Sequence, residues 1–283
     1  MVDDAQVRAT FLGTSTVYLN DGVSGVLIDG FLSRPSLLRV AFGRVAPNPK
    51  RVTHALSKAG ISRLDALLVA HSHYDHAMDA PEIVRRLGGV MYGSSSTLNI
   101  GRGAGLGEAS MAIIGDGDVV TAGAFTVRVF EGEHSPGNRF PGPIEQPLVP
   151  PAKVGDYRDG GCYSFHVAHA SGSLLIHPSA NFVPGKFDDL NVDALYLGVG
   201  ALGAQSEQFQ DEYWRHVVDA TRPSLIVPVH WDNFFRSLDR ALRPLPSFMD
   251  KFDRTRAWLD RQSAATGIPV RFQQPFEIIS PLA

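Results

Sequence analysis

The sequence predicts a layered α/β protein. Three observations carry that expectation: short apolar runs of strand length alternate with segments of helical periodicity, several runs are joined in pairs by turn residues, and no internal repeat divides the chain into equal units. Four of the runs end on a histidine or on small polar residues. Leu67-Leu68-Val69-Ala70 leads into His71, Phe125 to Phe130 leads through Glu131-Gly132-Glu133 to His134, Leu225 to Val229 leads into His230, and Leu174-Leu175-Ile176 leads to His177-Pro178-Ser179. Buried strands carry apolar runs of this length and reactive groups are commonly mounted where such strands stop, so one site fed by several strand ends is expected.

Taken in order, Val7 to Leu12 and Val26 to Ile28, separated by the turn residues Asn20-Asp21-Gly22, read as an opening β unit that ends at Asp29-Gly30. Phe31 to Pro47 mixes Phe31, Leu37, Leu38, Val40 and Phe42 with Arg34, Arg39 and Arg44. Such a basic, apolar stretch either covers an amphiphilic substrate or membrane surface or, as the plainer expectation, packs on the protein with its arginines in water. Val52, Leu56 and Ala59 share a helical face that Gly60 ends, and Leu64 to Ala70 follows as a buried strand. Pro81 and Gly88-Gly89 bracket a short helix. Asn99 to Gly107 reads as a glycine-rich loop, and the proline-rich Phe140 to Pro151 as a wall or lid of a site. Cys162 to Ala168 and Leu174 to Ile176 form a hairpin pattern around Ser171-Gly172. Helical patterning returns at Phe209, Tyr213 and Val217 and from Phe248 through Trp258, before a last strand near Val270 to Phe272.

With 283 residues and no evident linker, the chain is expected to form a single domain over 1–283. Hydrophobic residues at 44% and charged residues at 19% fit a folded globular enzyme rather than a disordered chain. A net charge of -3 offers no overall basic footprint for nucleic acid. The lone Cys162 excludes an intramolecular disulfide and a cysteine-rich metal cluster, so a metal must be held by histidine and carboxylate. Met1 to Gln6 lacks a basic region followed by an apolar stretch and no apolar run is long enough to cross a bilayer, so a cytoplasmic protein is expected, with surface association left open.

The densest chemistry lies in His71-Ser72-His73-Tyr74-Asp75-His76. In an extended segment His71 and His73 project to one side and can reach one ion, while Asp75 and His76, at the turn into the next helix, can address a second ion beside it. Three histidines and an aspartate this close would be costly to bury without a metal to satisfy them. Here the chain resembles the metallo-β-lactamase-fold superfamily, whose signature is H-x-H-x-D-H. The resemblance covers most of the chain: Asp29 matches the family's early strand-end aspartate, His134 its third metal-site histidine and His230 its last. It implies a four-layer αββα sandwich, with His71, His73 and His134 on one ion and Asp75, His76 and His230 on the other. It also implies Zn2+ in one or two sites, with Mn2+ or Fe2+ as alternatives. The family's bridging aspartate is missing, since the corresponding text is His177-Pro178-Ser179-Ala180-Asn181. Ser179 takes its place, or Asn181 after a slip in register. Without that charge two dications, Asp75 and a hydroxide sum to +2 instead of +1, which predicts a weaker second site.

The resemblance implies a hydrolase in which an activated water attacks an ester, lactone, amide or phosphodiester bond, with Asp75 orienting the water and His230 or His177 assisting the leaving group. Within the superfamily it lies nearest the branch of ascorbate-phosphate lactonases and phospholipase-D-like enzymes acting on N-acyl ethanolamine lipids, which implies a small-molecule or lipid-like substrate. Phe31, Phe42, Trp231, Phe234 and Phe235 are candidates to line an apolar pocket, with burial in the core as the alternative. Two other readings stay open: an iron-dependent oxidoreductase resembling the persulfide dioxygenases, and a metal-binding protein of weak activity. The Gly13-Thr14-Ser15-Thr16 and Ser94-Ser95-Ser96 segments lack the Gly-x-Ser-x-Gly nucleophile pattern and read as turns.

Overall fold

A computed structural model describes residues 6–282, so most of the N-terminal segment read above, Met1 to Ala5, lies outside the described residues. Strands β1 (Arg8–Phe11), β2 (Val17–Asn20), β3 (Gly25–Ile28), β4 (Ala66–Leu68), β5 (Val90–Gly93), β6 (Met111–Ile113) and β13 (Ile278–Ile279) form one sheet in the order β13-β1-β2-β3-β4-β5-β6. The second sheet has the order β12-β11-β10-β9-β8-β7, from β7 (Val119–Ala122), β8 (Phe125–Gly132), β9 (Cys162–His169), β10 (Gly172–His177), β11 (Ala194–Gly198) and β12 (Leu225–Val229). The helices are α1 (Leu37–Phe42), α2 (Pro49–Lys58), α3 (Tyr74–Ala77), α4 (Ala80–Leu87), α5 (Ser95–Gly103), α6 (Glu207–Tyr213) and α7 (Phe252–Thr266), with α6 continuing into a π-helical turn at Trp214–Asp219.

The period of two along the strands builds the layers. Val26, Ile28, Ala66 and Leu68 face the second sheet in one apolar cluster, while Leu27 and Leu67 face the other way, where Val52 and Leu56 of α2 and Ile83 and Val84 of α4 cover them. On the far side Tyr213, Val217, Trp258 and Leu259 close the second sheet's outer face. The result is an αββα sandwich whose β3, β4, β11 and β12, buried at nearly every position, read as continuous apolar runs for that reason.

Strand direction then places the site. β3 and β4 pair in parallel, so Asp29 and His71 leave the first sheet at the same edge. In the second sheet β8 and β10 each pair antiparallel with β9, and β10, β11 and β12 run parallel, so β8, β10 and β12 point the same way. His134, His177 and His230 therefore all lie at or just beyond strand ends on one edge.

Four expectations change. Asn99 to Gly107 is helix as far as Gly103, because α5 is capped by Ser94, whose hydroxyl accepts from Thr97 N, and runs from Ser95 to Gly103. Gly103 is small for close approach rather than for a turn: a Cβ there would lie 2.0 Å from the Leu148 carbonyl oxygen. Val270 to Phe272 makes only one bridge, Val270 to Ile226, and the final strand is β13 against β1. The proline-rich segment is tied down along its length rather than free as a lid, since Ile144 N donates to Ser96 Oγ and Leu148 N to the Asn99 carbonyl, leaving its Phe140 end as a site wall. Finally, Phe31 to Pro47 does not pack as one amphipathic unit: Arg34 is buried, and α1 has no buried residue at all. Among the described residues no helix is long and apolar enough to cross a membrane.

Candidate metal centre

His71 follows β4, His73 sits at the N-terminus of α3, and His134 lies two residues beyond β8. Their rings form a nearly equilateral triangle, with centroids 4.8 Å (His71 to His73), 4.7 Å (His71 to His134) and 4.7 Å (His73 to His134) apart. One ligand atom from each lies within 4.8 Å of the others, and the same holds for Asp75, His76 and His230. The groups abut, since the His71 and His76 rings are 3.8 Å apart. The structure thus gathers all six residues expected from the sequence into two adjacent donor sets.

The hydrogen bonds around the rings decide which nitrogens are free. His134 Nδ1 donates to the Ser135 carbonyl, leaving Nε2, and His73 Nε2 donates to the Phe140 carbonyl, leaving Nδ1. His76 Nδ1 donates to Asp29 Oδ2 at 2.7 Å, leaving Nε2 without a partner in a fully buried position. Neither nitrogen of His71 has a partner, although the residue is buried. Orphaned polar atoms of this kind cost about 1–3 kcal/mol each, and here they converge, which is the arrangement a metal ion satisfies. The electrostatics agree with neutral ligands. Burial, reinforced by the neighbouring imidazoles, holds His71 well below its ordinary value, and burial pushes His134 down to about 4. Asp75 is lowered: burial alone would raise it, but His76 and the hydrogen bond from His230 Nε2, 3.2 Å away, outweigh that and keep it ionised.

The supporting shell comes from residues distant in sequence. Asp29 accepts from Ala70 N on Oδ1 and from Ser15 Oγ and His76 Nδ1 on Oδ2, so it fixes the ring of His76 and the strand end that carries His71. Asp159 accepts from Gly142 N and Asn138 Nδ2, and its carbonyl takes Ser72 N, which holds the turn bearing Phe140 over His73. His230 is held by its own N–H to the Thr14 carbonyl, and Thr14 N in turn donates to Asp232. Thr14, Asp29, Arg34 and His230 all have positive φ, a concentration of backbone strain at one edge that marks a functional site. Of the residues that support the donor sets, only Asp29 was expected to matter from the sequence. Ser15 read as part of a turn, and nothing local marks Asp159, Arg34 or Asp232 as supporting residues.

Three candidates leave the centre. His177 spends both nitrogens on structure, Nδ1 with Ser164 Oγ and Nε2 with the Asn181 carbonyl, and its ring lies between Phe187 and Tyr213, so the leaving-group role is withdrawn. The Asn181 amide donates to the His134 carbonyl and does not replace a bridging carboxylate. Ser179 is buried and its hydroxyl accepts from Cys162 Sγ, 3.3 Å away; burial pushes that thiol up to about 12, so it is no thiolate ligand. Of the aromatic candidates, Phe31 and Trp231 are core, whereas Phe234 packs 5.7 Å from the His230 ring.

Asp79 shapes the same edge from behind, accepting from Leu32 N, Ser33 N and Ser33 Oγ. Burial outweighs these bonds and pushes its carboxyl up to about 6. The folded protein therefore holds this proton more tightly than the unfolded chain does. The associated stability is complete below pH ~4 and is lost as pH rises through ~6, on the order of 3 kcal/mol. Asp79→Asn is expected to flatten the fall in urea-unfolding free energy between pH 4 and 6; an unchanged slope would assign the titration elsewhere.

Comparisons with known proteins meet this geometry. The family model described as the metallo-beta-lactamase superfamily matches residues 9–180, a span that holds Asp29, the histidine motif and His134. Ribonuclease Z of Bradyrhizobium diazoefficiens is 31% identical over 114 residues, a match spanning 33% of this chain and 38% of that protein. Igni18, a metallo hydrolase from Ignicoccus hospitalis, shares the fold with a TM-score of 0.58 at 15% identity, covering 97% of each chain. CmlA, a diiron β-hydroxylase from Streptomyces venezuelae, gives 0.57 at 16% identity over 98% of this chain and 55% of that one. At such identities the two structures speak to the fold alone. The family match covers well over half of the chain, and the two donor sets stand on the sheet edge that its motif predicts: the chain belongs to the metallo-beta-lactamase superfamily.

Proposed function

We propose that this protein is a zinc-dependent hydrolase, a single catalytic unit over 1–283, that cleaves an ester, lactone, amide or phosphodiester bond of a small-molecule or lipid-like substrate. The observation that carries the reading is the triangle of His71, His73 and His134, in which both nitrogens of buried His71 lack a partner, set beside Asp75, His76 and His230, where His76 Nε2 is likewise unpartnered. Such a donor set suits zinc, and when bound the metal supplies an acidified water and positive charge for the developing oxyanion. The chain's own residues do the rest. Asp75, kept ionised, orients the attacking water. His230 Nε2, hydrogen-bonded to Asp75, is placed to pass a proton to the leaving group when only the first site is filled. Phe140 and Phe234 exclude water from the two flanks, through their contacts with His73 and His230. The lone Cys162, buried and unpaired, fits a cytoplasmic setting.

The test is a zinc titration followed by turnover. With Ser179 and Asn181 engaged elsewhere and Asp75 the sole carboxylate among the six donors, two unequal equivalents are expected, the first filling His71, His73 and His134. Zinc-loaded protein should then hydrolyse members of an ester, lactone and phosphodiester panel. Iron in the purified protein together with oxygen consumption would replace this reading with the redox one, and two equally tight zinc equivalents would refute the unequal sites.

A further inference from the structure

One face of the molecule is apolar, basic and unpartnered, and it adjoins the metal centre. Residues 30–64 contain seven Lys or Arg and no Asp or Glu, in a chain whose net charge is -3; Arg34 is buried against Asp232, and Lys58 and Arg63 pair with Asp239 and Asp65, which leaves Arg39, Arg44, Lys50 and Arg51 without a carboxylate partner among the described residues. Within that stretch α1 buries none of its six residues, and Leu38 and Phe42 are 73% and 88% exposed. The helix is held from its C-terminal side, by the Val45 to Ala152 bridge and by Arg44 Nη1 donating to the Pro151 carbonyl. Contiguous exposed apolar side chains of this kind mark a binding surface more often than an idle one.

The helix forms one wall of a cleft of about 630 Å³, a volume suited to one small ligand. Leu37, Val40, Phe42, Phe235 and Met249 supply its apolar lining, and Arg139 and Lys153 its charge. Neither cation has a carboxylate within salt-bridge reach among the described residues. The cleft shares two walls with the metal centre. Phe140 lines it while accepting from His73 Nε2 and standing 6.4 Å from that ring. Phe235 lines it while packing at 4.7 Å on Phe234, which touches His230.

We infer that this cleft is the substrate-binding site and that its ligand is an amphiphilic anion, with an apolar chain laid along α1 and an anionic group met by Arg139 and Lys153. The inference builds on the hydrolase reading by naming the substrate class. The charge complement selects the anion, since two unpaired cations at an apolar cleft favour a negative group over a neutral one. The exposed flank of α1 selects the chain, because a wholly polar ligand would leave Leu37, Phe42 and Met249 facing water.

Calorimetric binding of butane-, hexane- and octanesulfonate to the purified protein tests this, because a sulfonate is a poor metal ligand and no turnover is needed. Affinity is expected to rise about three- to four-fold per buried methylene. Phe42→Ser, on an exposed side chain that folding does not use, should flatten the rise. Arg139→Ala with Lys153→Ala should weaken every sulfonate about ten-fold while leaving the rise intact, and octanol should bind at least about ten-fold more weakly than octanesulfonate. Affinity independent of chain length, or octanol binding as tightly as the sulfonate, overturns the inference. So does a dimer that Phe42→Ser dissociates while no sulfonate binds, or binding to anionic vesicles alone. A protein that hydrolyses nothing can still pass this test and an active hydrolase can fail it, so the two readings fall separately.

Discussion

His71→Ala is expected to empty the first metal site, lowering metal affinity by more than the 10- to 100-fold typical of losing an outer partner, and turnover with it. Elemental analysis of the wild type and the variant, purified in parallel, reads the first effect. The second expected effect has the opposite sign. In the metal-free protein His71 is a buried imidazole with two unpartnered nitrogens, so alanine relieves a desolvation cost and the stripped variant should unfold at the same or higher urea concentration than stripped wild type. Added zinc should stabilise the wild type by binding the folded state and leave the variant nearly unmoved. A variant that is strongly destabilised without metal and still retains it would mean that His71 is a packing residue.

This inversion also explains what could be read in the sequence. The metal motif is local: His76 lies five positions after His71, and the crowding of these residues is unfavourable unless something satisfies them. His134 and His230 are distant, yet each follows an apolar run, and the strand directions of the second sheet bring such ends together. Residues whose role depends on a long-range partner gave no such sign. Ser15 looked like turn chemistry because its acceptor, Asp29, and its neighbour His76 lie 14 and 61 positions away. Arg34 looked like one solvated arginine among several, since only the folded chain puts Asp232 beside it. The α1 segment misled in the other direction, because an apolar pattern announces burial without saying against what.

Asp232→Ala is expected to cost about 3–5 kcal/mol, the largest stability loss foreseen for this chain outside the apolar core. Arg34 and Asp232 are both about 1% exposed, with Nη1 to Oδ2 at 2.6 Å, and the alanine would leave a buried guanidinium without its counter-ion. Among the described residues no second carboxylate pairs with it, and its other acceptors, the Thr14 hydroxyl and the Asn233 carbonyl, are neutral. Gly13, at φ 80°, has the Arg34 Nη2 only 1.8 Å from where a Cβ would stand, so the guanidinium fills space that only glycine leaves. Arg34→Met combined with Asp232→Ala removes both charges and should recover most of the stability, since apolar replacement of a buried pair is often neutral or better. Metal binding should not recover. Asp232 Oδ1 holds Thr14 N, and the Thr14 carbonyl holds the amide of His230 in its strained conformation, so the double variant should keep the first zinc equivalent and bind the second more weakly. Urea unfolding and zinc titration on the same three proteins separate the two roles. If the double variant binds both equivalents as the wild type does, the ion pair serves stability alone; if it loses only the second, Arg34 and Asp232 position His230.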